Sequence, residues 1–199
     1  MLVTSLSRQR EIVMPSALIV LAPGAEEIEA ITVPDLLVRA GCRVTIATLA
    51  DIPMVKGSRG LPLAAHGTWD LTRDQTYDLV YLPGGLGSAH ACRDDVRVQE
   101  LAEAQLVAGR WLAVICAAPL ALIPRGLAKG RRLTSFPGVR AEVEPHAAAW
   151  LDQPVVVDGP LVSSQAAGTT MALGLTLVRL LHGAEAAATV ANAIKAPLP

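Results

Sequence analysis

Cys116 closes the run Trp111-Leu112-Ala113-Val114-Ile115-Cys116-Ala117-Ala118-Pro119, in which an apolar strand passes at once into a helical stretch. A thiol at such a junction is presented by the sharp turn. The N–H groups that open the next element favour its thiolate, the reactive form. Small Ala117 and Ala118 leave room for a ligand, and Pro119 pre-sets helical φ at a position that needs no N–H partner. The same run also accommodates Cys116 as one more small buried apolar residue. A second strand ends in Pro83-Gly84-Gly85-Leu86-Gly87. In a parallel sheet such loops gather at the carboxyl edge, where glycine N–H groups can approach an oxyanion. Taken alone, that loop is also an ordinary strand-to-helix turn. After the first strand comes Glu26-Glu27-Ile28-Glu29. Glu26 and Glu27 suit the positive end of a helix. Glu29 is a candidate to face the same edge; if it meets Cys116 in a dry pocket its pKa rises, and it can then exchange a proton with sulfur or substrate.

Other chemistries find less support. His66 and His182 adjoin glycines in expected turns, His90 follows Gly87, and His146 lies in a Pro/Ala-rich region, so none is placed as a base. His90-Ala91-Cys92 is too few ligands for a metal, and a Cys-His-acid protease triad is not established. Neither GxGxxG nor GxxxxGK[ST] occurs, so no nucleotide cofactor is expected, nor any other. The three cysteines, Cys42, Cys92 and Cys116, are odd in number and lack CxxC spacing, as expected of a reducing, cytoplasmic setting.

These residues need a scaffold. Strands are predicted at 17–22, 43–49, 78–82 and 111–115, with a short strand near 61–65 and a helical turn near 69–74. Helices are predicted over 27–40, where Pro34 argues against an unbroken one, over 94–108, and from Cys116 to about Ile123. Further strands are expected at 132–135, 155–157 and 161–164, and helices at 169–181 and 184–194. The alternation of strands and helices implies a single α/β sandwich, mostly parallel, with helices on both faces. One domain over 17–199 is expected, with 1–16 as an N-terminal extension; Met14 is an alternative start.

Composition agrees. Of 199 residues, 52% are hydrophobic but only 3% aromatic, so Ala, Val, Leu and Ile must build the core. With 17 basic against 18 acidic residues the net charge is −1, which gives no nucleic-acid-binding surface. No apolar run reaches the roughly 18 residues of a membrane span, and polar residues interrupt the first 15.

The segments Ala17–Glu29, Leu82–Gly85 and Ala113–Pro119, with Ser58-Arg59-Gly60, Thr134–Pro137, Trp150–Asp152 and Lys195–Pro197, closely resemble the ThiJ/PfpI superfamily, in particular its parkinsonism-associated protein deglycase branch and YajL-like bacterial proteins. The resemblance implies an α/β, flavodoxin-like three-layer sandwich and a homodimer in which Cys116 is an oxidation-sensitive nucleophile and Glu29 a protonated partner of its sulfur. Gly85 and Ala117 would supply N–H groups beside it, and Gly84, Arg59 and Phe136 would belong to the binding pocket. The implied activity is that of a cysteine-dependent deglycase or glutathione-independent glyoxalase acting on methylglyoxal, glyoxal or their early adducts with amines and thiols. The alternative is a redox-sensing holdase chaperone without sustained turnover. Phe136 and Ala117 stand where other members carry histidine, which speaks against a peptidase. Ala166 and Ala167 replace a Gly-Pro pair, which alters one pocket wall.

Overall fold

The computed structural model describes residues 14–72 and 75–198. In chain order its elements are β1 (Ser16–Leu21), α1 (Glu27–Arg39), β2 (Arg43–Thr48), β3 (Met54–Lys56), β4 (Pro62–Ala64), β5 (Gly67–Thr68), a 3₁₀ turn at Trp69–Thr72, β6 (Leu79–Leu82), α2 (Leu86–Asp94), α3 (Val96–Val107) and β7 (Trp111–Ile115). A 3₁₀ turn at Ala118–Leu122 follows, then β8 (Arg132–Leu133), α4 (Arg140–Val143) between two 3₁₀ turns, β9 (Ala149–Trp150), β10 (Val155–Asp158), β11 (Leu161–Ser164), α5 (Thr170–His182) and α6 (Ala184–Ile194). Most of the expected N-terminal extension, residues 1–13, lies outside the described residues, and Ser16 already belongs to β1.

The main sheet has the order β10-β11-β7-β6-β1-β2-β5, parallel throughout except that β10 pairs antiparallel with β11. β1, β6, β7 and β11 are almost wholly buried because both faces are covered. Ala17, Ile19, Tyr81 and Ile115 pack toward α1, α5 and α6, while Leu18, Val20, Leu82 and Val114 pack toward α2 and α3. This is the expected α/β sandwich. Strand order reverses around β1, with β2 on one side and β6 and β7 on the other, and that crevice at the carboxyl edge is where open α/β sheets bind ligands.

Four local readings change. α1 runs unbroken through Pro34, which costs it one main-chain hydrogen bond. Its buried face is Ala30, Val33, Pro34, Leu36 and Leu37, while Ile28, Ile31 and Val38 are exposed on the other. The stretch holding His90, where no element is predicted before position 94, forms α2, whose buried side chains are Ser88, Ala89 and Cys92. α3 buries Gln99 and Gln105 and leaves Val96 and Val107 exposed. Gln99 Nε2 donates to the carbonyls of Cys92 and Ala121, and Gln105 Nε2 to those of Tyr77 and Trp111; Gln105 Oε1 accepts from Arg110 Nε, whereas the buried Gln99 Oε1 has no partner among the described residues. Finally, the strand expected near 61–65 is half of a hairpin, β4 paired antiparallel with β3.

Candidate active site

Cys116 sits directly after β7 with φ 62, one of two non-glycine residues with positive φ among those described. A left-handed cysteine is strained, and two bonds hold it there. Its N–H donates to the Ser164 carbonyl at 2.9 Å, and its carbonyl accepts from Phe136 N–H at 2.8 Å. The strand end on one side and the residue-136 loop on the other thus fix the sulfur.

Glu29, in the first turn of α1, is fully buried. Its Oε2 accepts from Gly84 N–H at 2.8 Å, and Tyr81 Oη donates to its carbonyl at 3.1 Å. Oε1 has no partner that meets hydrogen-bond geometry, although Cys116 lies near enough to act on the carboxyl as a hydrogen-bonding neighbour. Burial pushes Glu29 up to about 7, against the pull of Gly84 N–H; the Glu26 charge adds to the rise. Burial likewise pushes the Cys116 thiol up to about 12, and the Glu29 carboxylate reinforces it, while Gly85 and Ala117 N–H groups pull it down. Cys116 and Glu29 are coupled and titrate as a pair.

A raised carboxyl is a stability statement. Below the unfolded value near 4.5 both states hold the proton and nothing is lost; as pH climbs to about 7 only the unfolded chain releases it, so stability falls. The span from 4.5 to about 7 amounts to about 3 kcal/mol. Glu29→Gln is therefore expected to be more stable than the parent at pH 8, by an order of about 3 kcal/mol more than at pH 4, in urea unfolding at the two pH values. An equal difference at both would show that Glu29 is not buried as an acid.

The two glycines leave no alternative. A Cβ on Gly84 would fall 2.6 Å from both Cys116 Cβ and Glu29 Oε2. One on Gly85, at φ +85, would collide with the Gly24 carbonyl oxygen. Gly85→Ala is expected to cost at least about 2 kcal/mol, read as a lowered Tm; an unchanged Tm would mean that the β6–α2 turn relaxes freely.

Glu26 and Glu27 do more than match a helix dipole. Glu26 caps α1 by accepting from Glu29 N–H at 2.9 Å, and its own N–H donates to the Gly84 carbonyl at 3.0 Å, which joins the loops after β1 and β6. Glu27 grips the β3–β4 turn: its carboxylate accepts from Arg59 N–H at 2.6 Å and Ser58 Oγ at 3.0 Å. Burial pushes Glu27 up, but these bonds together hold it below the usual carboxylate value.

The expected site residues converge. Glu29, Arg59, Gly85, Cys116, Ala117 and Phe136 line one cavity of about 450 Å³, and Gly84 lies behind it with its N–H on Glu29. Leu86, Gly138 and Val139 also line it, as do Ala166 and Ala167. Leu86 was legible as the residue after Gly85; nothing in the sequence marks Gly138, Val139 or Tyr81. The histidines stay away from this cavity: His66 Nδ1 accepts from Ile46 N–H, and His182 Nε2 lies 3.1 Å from Cys42 Sγ. Among the described residues no group of three or more His, Cys, Asp or Glu is placed to hold a metal. No helix among them is long and apolar enough to cross a membrane.

The model of the DJ-1/PfpI family matches residues 15–180. The chain belongs to the DJ-1/PfpI family. Protein dj-1beta of Drosophila melanogaster is 37% identical over 179 residues, spanning 90% of this chain and 96% of that protein. The crystal structure of Drosophila melanogaster DJ-1beta superposes with a TM-score of 0.89 at 36% identity, covering 92% of this chain and 99% of that one. Parkinson disease protein 7 homolog of Danio rerio is 36% identical over 184 residues, 92% of this chain and 95% of that protein. Glutathione-independent glyoxalase DJR-1.2 of Caenorhabditis elegans is 32% identical over 171 residues, 85% and 90% of the two chains. The family thus includes glyoxalase-type enzymes as well as DJ-1 proteins.

Proposed function

We propose that this protein is a cysteine-dependent, glutathione-independent glyoxalase that converts methylglyoxal and glyoxal, or their early adducts with amines and thiols, to 2-hydroxy acids. The observation that carries this is the pairing of a strained, backbone-locked Cys116 with a buried Glu29 whose carboxyl titrates near neutrality. When the pair holds one proton, placing it on Glu29 and the charge on sulfur satisfies the orphaned Oε1 and uses the Gly85 and Ala117 N–H groups. Sulfur is then the nucleophile and Glu29 the acid.

The thiolate adds to the aldehyde carbon, forming a C–S bond, and Glu29 protonates the oxygen. Gly85 and Ala117 N–H groups stabilise the charge on that oxygen as it develops. The Glu29 carboxylate next removes the hydrogen from this carbon as a proton, leaving an enediolate with its charge on the former ketone oxygen, and returns that proton to the former ketone carbon while the hydroxyl proton on the first oxygen passes to the second. The aldehyde carbon is oxidised to a thioester and its neighbour reduced to an alcohol, so no external oxidant is needed. Water cleaves the thioester, releases lactate or glycolate, and restores the Cys116 thiol. Arg59, at the mouth of the cavity, and Phe136 would contact the substrate. The homodimer implied by resemblance would find an apolar surface in Ile28, Ile31 and Val38, all exposed on α1.

Mass spectrometry of a reaction quenched during turnover tests the covalent step. One methylglyoxal equivalent is expected on the peptide containing Cys116, disappearing as substrate is exhausted. Cys116 found only as its sulfinic acid, with methylglyoxal untouched and aggregation of a client suppressed, would favour the redox-sensing holdase instead.

A further inference from the structure

The cavity over Cys116 has a reactive inner end and an exposed mouth where Leu86 and Phe136 offer apolar surface beside the polar Ser58 and Arg59. Glu29 and Ala117 are buried at the inner end, whereas Leu86 is 55% and Phe136 44% exposed. Phe136 is the chain's single phenylalanine, and it sits at this mouth rather than in the core. Its position is fixed relative to the sulfur. Its N–H donates to the Cys116 carbonyl at 2.8 Å, and its carbonyl accepts from Val139 N–H at 3.0 Å. The ring lies against Gly138 so closely that a Cβ there would fall 2.6 Å from Phe136 Cε1. A ring held in place and half in water gains when an apolar group covers it, and an aromatic group gains further by offset or edge-to-face stacking. A cavity of about 450 Å³ is also far roomier than a three-carbon aldehyde needs and lies within the range that encloses drug-sized ligands.

We infer that Phe136 and Leu86 select 2-oxoaldehydes bearing an aromatic or bulky apolar substituent on the ketone carbon, so that arylglyoxals are better substrates than methylglyoxal or glyoxal. The inference rests on the proposed glyoxalase chemistry, which it leaves unchanged: phenylglyoxal and water give mandelate by the same internal oxidation and reduction. The dicarbonyl end reaches Cys116 and Glu29, and the ring packs between Phe136 and Leu86.

Initial rates with phenylglyoxal and methylglyoxal, for the parent and Phe136→Ala, read this selectivity directly. The parent is expected to show the higher kcat/KM with phenylglyoxal, and Phe136→Ala to lower the ratio of the two values at least about tenfold. Phe136→Leu should retain part of the preference. A second readout needs no turnover: alkylation of Cys116 by 2-bromoacetophenone against bromoacetone, each normalised to a small free thiol. The parent should favour the aryl reagent about tenfold, and Phe136→Ala should lose that preference. A preference in alkylation without turnover of either aldehyde would keep the recognition and refute the glyoxalase reading. Turnover of both aldehydes at a ratio that Phe136→Ala leaves unchanged, or no aryl preference in alkylation, would overturn the inference.

Discussion

Cys116→Ser is expected to lower kcat/KM for methylglyoxal at least about 10⁴-fold, as removal of a nucleophile does elsewhere, with little change in unfolding. The substitution exchanges one atom and keeps the N–H bond to the Ser164 carbonyl and the carbonyl bond to Phe136 N–H, so the left-handed residue stays where it is. A serine hydroxyl in that place is not ionised by the Gly85 and Ala117 N–H groups, because its proton is held far more tightly than a thiol's. Steady-state kinetics together with a urea unfolding curve separate loss of chemistry from loss of fold. A variant that keeps its midpoint and more than a tenth of its activity would remove Cys116 from the reaction.

Glu29→Gln is expected to reduce kcat about 10²–10⁴-fold, the usual contribution of a well-placed proton-transfer group. The amide keeps an oxygen for Gly84 N–H, so the pocket persists, but it can neither take the hydrogen from the first substrate carbon nor return it to the second. The pH profile gives a signature that a merely structural role would not. Below about 7 the pair holds both its protons, sulfur is a thiol and the parent is slow; as pH rises through about 7 the first proton leaves and kcat/KM climbs. In Glu29→Gln that limb should vanish from the neutral range, since Cys116 then titrates alone and burial pushes it upward. A Gln variant with the parent's limb near 7 would assign that titration to another group.

The chemistry of the site was legible where it coincided with the ends of buried strands. Apolar runs such as Leu79–Leu82 and Trp111–Ile115 are buried on both faces, so their ends and the Gly84, Gly85 and Cys116 that follow could be placed at one edge from composition alone. The helix Leu86–Asp94 escaped because its inner face is Ser88, Ala89 and Cys92, small enough to meet the turn Ala118–Leu122 closely but too weakly apolar to show a period. The exposed face of α1 deceived in the opposite sense, since Ile28, Ile31 and Val38 are its conspicuous hydrophobics. Its place after the first strand marks Glu29 as a candidate, yet its burial depends on Gly84 and Tyr81, contacts more than 50 positions away that no local pattern encodes. The role of Glu27 in holding Ser58 and Arg59 was hidden for the same reason: three acids in a first helical turn already have a sufficient local explanation in the helix dipole.

The central claim is that the Cys116–Glu29 pair turns over dicarbonyls rather than reacting once. Purified protein mixed with a large excess of methylglyoxal, without glutathione, and followed by NMR tests it most directly. Lactate is expected to accumulate over many equivalents of protein and to be absent with Cys116→Ser; lactate that stops near one equivalent, or forms equally with the serine variant, would contradict turnover by this pair.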